Sequence, residues 1–193
     1  MTGTDAIEVF EALAADILQH YGKGRTIVAV DGFTGTVEFA DALAAAITGT
    51  GHPTFRASIR NFRQPPVTRY AGGSVALERA IDLDTLLRVL IEPFRDGGTG
   101  SFVLAAFDPD REAPIPQKWR TAKPDSVLII DGELLQAPEL RGLWHYTIWL
   151  ESGADPAPEQ VAYLKKLKPR TTAAAIIDVS DSNNPRRVFA DSC

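Results

Sequence analysis

The chain lacks a second cysteine, any long apolar run and any excess of positive charge, and each absence narrows what it can be. Its one cysteine, Cys193, cannot form an intrachain disulfide, so nothing points to an oxidising compartment. No apolar stretch approaches the ~18 residues of a membrane span. The amino end carries Asp5, Glu8, Glu11 and Asp16 where a secretory leader would be basic and then apolar. A cytoplasmic chain with no membrane partner is the expectation. With a formal net charge of −5 and an isoelectric point near 5.2, nucleic acid and anionic lipid are poor partners, because both reward a basic surface. Lysine is absent from the whole interval between Lys23 and Lys118. Internal repeats and low-complexity tracts are absent too.

What is present is a regular alternation of elements. The 193 residues, 45% of them apolar, suffice for one domain spanning 1–193 with a sizeable core. Phe10, Leu13, Ile17 and Tyr21 fall on one face of a helix over 5–21, with Thr4 as its N-cap and Gly22 and Gly24 as its stop. Strands over 25–30 and 54–59 with a helix over 37–47 between them make a βαβ unit. The segment 61–74, rich in Pro, Arg and Gly, reads as an ordered functional loop. Helices over 84–94, 138–144 and 158–167 then alternate with strands over 101–107, 126–130, 146–150 and, last, 172–179. This pattern predicts an α/β fold whose mostly parallel sheet is flanked by helices on both faces. Any ligand is expected at the carboxyl ends of the strands.

Residues 28–43, VAVDGFTGTVEFADAL, have the outline of a phosphate-binding loop: an apolar strand, a turn of small residues at Asp31-Gly32, then an Ala-rich helix. In G-x-x-x-x-G-K-[ST] the second Gly lets the backbone close on phosphate, the Lys neutralises it and the hydroxyl holds Mg²⁺. Counted from Gly32 without gaps, those places fall on Val37, Glu38 and Phe39. A two-residue deletion improves the alignment of the helix, yet no register supplies a lysine.

Taken with later segments, the chain resembles the uridine kinase-like branch of P-loop nucleoside kinases. FRASIRNFRQPPVTRY at 55–70 looks like that family's R-A-S-x-D-G-F-H stretch with its following P and R-Y. Asp82-Leu-Asp84, Ala106-Phe-Asp108, VLIIDG at 127–132 and PELRGLW at 138–144 follow in the family's order. The resemblance implies a P-loop kinase-like α/β fold. Departures gather where the chemistry would be, and mark the chain as a degenerate member. Arg60 stands where the family carries the Asp thought to take a proton from the sugar hydroxyl, and Arg63 replaces the following His. A guanidinium cannot accept that proton. ESGADPAP at 151–158 replaces the Arg-bearing lid. A degenerate loop at 31–39, no general base and a shortened lid predict loss of ATP-dependent phosphorylation.

The expected function is therefore a repurposed one. The former substrate pocket would bind a small anionic or polar molecule, or transform it without a cofactor or metal, as in a cyclisation, isomerisation or elimination of secondary metabolism. A residual nucleoside or small-metabolite kinase using ATP and Mg²⁺, and a noncatalytic pseudokinase regulating a partner protein, are the alternatives. Homo-oligomerisation is left open. Asp31, Arg60, Asp108, Asp131 and Glu133 are the catalytic candidates. Arg56, Arg63, Arg69, Tyr70, Trp119 and His145 are the substrate-binding ones. The resemblance places Asp131-Gly132-Glu133 at an acidic strand end that helps organise Mg²⁺ or substrate. Plainer readings stand beside each: Asp31 as a helix cap, Asp108 and Asp131-Gly132 as turns, Trp119 as a loop pin and His145 as structural.

Overall fold

The computed structural model describes residues 3–65, 81–96 and 100–189. Arg69, Tyr70 and most of the proposed loop at 61–74 lie outside the described residues.

Two wholly apolar-rich strands form the centre. β1 (Thr26–Asp31) and β7 (Val127–Gly132) are buried at every residue, as strands covered on both faces must be. β2 (Thr54–Ser58) and β8 (Tyr146–Glu151) flank them. β9 (Ala175–Asp178) and β10 (Arg186–Val188) complete one side. The order is β10-β9-β8-β1-β7-β2. All pairings are parallel except β10 on β9.

α1 (Gly3–Tyr21) and α2 (Thr36–Gly49) cover one face. Leu13, Ile17, Phe39, Leu43 and Ile47 pack there on Val28, Val30, Ile129 and Ile148. α3 covers the other face as a continuous run through Leu83–Leu86, a π-helical stretch Leu87–Ile91 and Glu92–Arg95. Its Leu86, Leu90, Ile91 and Phe94 meet Ile27, Ala29, Leu128 and Ile130. α4 (Pro158–Leu167) and α5 (Pro169–Thr172) lie between β8 and β9.

The structure corrects the sequence reading in four places. Residues 101–107 form no strand of the main sheet. Instead β3 (Phe102–Val103) pairs with β6 (Trp119–Arg120), and β4 (Phe107–Asp108) with β5 (Ala113–Pro114), in two small antiparallel ladders. β9 is not the last strand, because the chain turns back to add β10 to its edge. Only a 3₁₀ turn, Pro138–Leu140, forms within 138–144. The first helix already includes Gly3 and Thr4, so Thr4 is inside it and not its N-cap.

Candidate functional site

The carboxyl ends of the parallel strands form a row of acids: Asp131 on β7, Asp31 on β1, Glu151 on β8 and Asp178 on β9. Register decides which of them can act together. Asp131 pairs with Val30, and Asp31 with Gly132 and Trp149. Laterally paired residues share a face and successive residues alternate. Asp131 therefore points to the α1/α2 side with Val30, and Asp31 to the opposite side with Trp149. The two carboxylates proposed as members of one site do not converge.

On the α2 side, Arg56 binds Asp131. It pairs with Ile129 across the β2–β7 ladder, which puts its side chain on Asp131's face. Arg56 Nη2 donates to Asp131 Oδ1 at 2.8 Å and Nε to Asp41 Oδ1 at 2.8 Å. Nη1 donates to the Ile129 carbonyl at 3.0 Å, and Nη2 reaches the Val37 carbonyl at 3.4 Å. The guanidinium thus ties β2, β7 and the first half of α2 together. Asp131 is 2% exposed and its Oδ2 is buried with no hydrogen-bond partner. Gly132 follows with φ of 146°, and a Cβ there would lie 2.3 Å from Ile59 Cγ2. The Asp-Gly pair makes the turn as well as presenting the carboxylate.

On the other side, Asp31 is fully buried. It accepts from the Leu135 amide at 3.2 Å, Gln136 Nε2 at 3.1 Å and the Tyr163 hydroxyl at 2.5 Å. Tyr163 in turn accepts from the Gln136 amide at 3.1 Å, and Thr172 donates to Gln136 Oε1 at 2.5 Å. Burial pushes the Asp31 carboxyl up to about 6, against the pull of these donors. Phe33, from the β1–α2 loop, stands edge-on to Trp149 at 5.4 Å and to Tyr163 at 6.0 Å. Side chains of the protein itself fill this end of β1. Sequence reasoning missed Tyr163, Gln136 and Thr172, and their only local signal was a tyrosine in an otherwise Lys- and Gln-bearing helix.

The remaining candidates scatter. Arg60 is exposed in the 3₁₀ turn Ile59–Phe62 that follows β2, and Arg63 bridges to Ile81 just beyond it. Glu133 is exposed after Gly132. These three stay near the carboxyl end of the sheet. Asp108 accepts from the amides of Asp110 and Arg111, and the same bonds hold its carboxyl below the usual range. It makes the β4–β5 turn, outside the main sheet. Trp119 is 55% exposed on β6. His145 precedes β8, at the amino end of the sheet, where its Nδ1 accepts from the Ile27 amide at 2.9 Å. Burial, then the charge of Arg95, pushes its imidazole down.

The β1–α2 connection is short. α2 begins at Thr36 behind Gly35, a left-handed N-cap with φ of 70°. Glu38 sits exposed in the first turn, and Phe39 is buried in the core against Phe10 at 4.9 Å. Gly35 is the glycine that opens α2, so Thr36 and Val37 follow it where the pattern has Lys and the Mg²⁺-binding hydroxyl, and Glu38 comes one residue later. Asp131 and Asp41 both hold the Arg56 guanidinium. Residues 32–38 contain no Lys or Arg to meet a phosphate. Residues 152–157, between β8 and α4, contain no Arg and no helix. Among the described residues, no group of three or more His, Cys, Asp or Glu could hold a metal, and no helix is long and apolar enough to cross a membrane.

The fold is that of the P-loop kinases. It is similar to a structure of a possible uridine kinase from Bacillus stearothermophilus, with a TM-score of 0.71 and 18% identity over 91% of this chain and 99% of that one. D-glycerate 3-kinase from Cryptococcus neoformans var. grubii is similar at a TM-score of 0.56 and 9% identity, over 97% of this chain and 99% of that one. At these identities the likeness is one of fold. No protein-family model and no curated protein sequence matches the chain.

Proposed function

We infer that this chain uses a P-loop kinase fold without ATP-dependent phosphorylation, and that it holds another small molecule beside the former acceptor end of its sheet. The absence of Lys and Arg from residues 32–38, with Glu38 exposed in the first turn of α2, carries the reading. A phosphate oxygen ~4 Å from a carboxylate is repelled by about 1 kcal/mol in water and ~4 kcal/mol at an effective dielectric of 20, where a lysine would attract it equally. Loss of one transition-state cation costs about 10³ to 10⁵ in phosphoryl-transfer rate. Arg56, the described cation that reaches the first half of α2, is committed to Asp41 and Asp131. That engagement argues against an arginine standing in for the lysine.

At the acceptor end, exposed Arg60 and neighbouring Arg63 support an anionic or polar ligand, since guanidinium grips carboxylate and phosphate through two donors. Any reaction there would be one that positioning and polar groups promote without a cofactor. Calorimetric titration with ATP and with GTP, each with Mg²⁺, tests the reading. No saturable heat is expected into the millimolar range. Saturable micromolar binding would overturn it and return the chain to the small-metabolite kinases.

A further inference from the structure

A cavity of ≈ 500 Å³ opens at the amino end of α2, lined by Phe10, Thr34, Glu38, Phe39, Val179 and Ser182 among others. It is of the size that small ligands occupy. Glu38 is the charged side chain among all of its lining residues. Its aromatic wall is the Phe10–Phe39 pair, and Thr34 and Ser182 add hydroxyl acceptors. A second, more apolar cavity of ≈ 720 Å³ adjoins it between α1 and α2, sharing Phe10 and Ala42 and carrying Glu11 as its charged residue. Neither α1 nor α2 has a single Lys or Arg, while together they carry Asp5, Glu8, Glu11, Asp16, Glu38 and Asp41.

We propose that this cavity binds an organic cation, an amine on an aromatic or apolar body, with Glu38 pairing the ammonium and Phe10 offering it a ring. The inference rests on the reading that the loop does not hold a nucleotide. The connection and first turn, residues 32–38, carry Glu38 and no Lys or Arg, so their side-chain charge favours a cation over an anion. The amino terminus of α2 opposes this with a partial positive charge of about one half, smaller than the full charge of Glu38. An acid in a first turn can also serve only to complement that dipole. The aromatic pair beside it distinguishes a site from a helix end, because a ring face attracts a cation and offers no such attraction to an anion.

The test titrates the full chain with 2-phenylethylamine, 2-phenylethanol and 3-phenylpropionate, by calorimetry and amide spectra. The amine is expected to saturate, the alcohol to bind about tenfold more weakly or less, and the acid not at all. Glu38→Gln, an exposed position that leaves folding unchanged, should reduce the amine to the level of the alcohol. Equal binding of amine and alcohol, unchanged amine affinity in Glu38→Gln, or no saturable amine binding up to about 10 mM would each overturn the proposal. A parallel titration with ATP and Mg²⁺ separates the two readings. ATP binding would overturn the reading beneath the proposal. If neither ATP nor amine binds, that reading stands and the organic-cation site falls.

Discussion

Asp31 makes a quantitative demand on stability. Its carboxyl is carried from an ordinary 3.8 to about 6 by burial, so the folded state holds the proton more tightly than the unfolded chain does. For a group raised in this way, the favourable contribution is complete below pH 3.8 and is lost as pH climbs through about 6. At about 1.4 kcal/mol per pH unit, the loss over that window is ~3 kcal/mol. Urea unfolding between pH 3.5 and 7.5 measures it, with the midpoint and slope fitted at each pH. Asp31→Asn removes the titration while keeping one acceptor for the Leu135 amide. The difference between wild type and variant should therefore fall by ~3 kcal/mol from about pH 4 to about pH 6 and then flatten. The carboxyls of Asp16, Asp108 and Asp178 are held low, so they act in the opposite sense below this window and cancel in the difference. Parallel pH curves for the two proteins would refute the account, because Asp31 would then have the same affinity for its proton folded and unfolded.

Two further outcomes follow from the other face. Arg56→Met leaves the buried Asp131 charge without its cation and should cost about 3 to 5 kcal/mol in urea unfolding. Adding Asp131→Asn should recover much of that loss, and a purely additive double variant would show that the pair is not coupled. Gly132→Ala meets both a φ of 146° and Ile59 Cγ2 at 2.3 Å, so a loss of about 2 kcal/mol or more is expected. A melting temperature within a degree of wild type would show that β7 can end otherwise.

Much of the architecture was written locally. TIVAVD and VLIIDG read as buried strands because nearly every residue is apolar, and both are central. The helix at 158–167 matches its period and its Pro158 start to the residue. Other elements had no local signal. β10 is three residues, two of them arginine, and exists because the edge of β9 offers it hydrogen bonds. The segment 101–107 is apolar enough for a strand, but β7 takes the place beside β1 and leaves it in a satellite ladder.

The sequence by itself determined that residues 32–38 after β1 carry Glu38 and no Lys or Arg, because that is read along one chain. It also identified Asp31 and Asp131 as groups at strand ends and Arg56 as a candidate ligand-binding cation. Only the tertiary structure decided what they do. Asp131 and Arg56 lie 75 positions apart and are joined because β2 and β7 pair in one register. Asp31 and Tyr163 are separated by 132 positions and meet because α4 folds back over the end of β1. Side chains alternate along a strand, so that register also sends the two carboxylates to opposite faces of the sheet. No pattern within either strand records the register, because it is set by the partner.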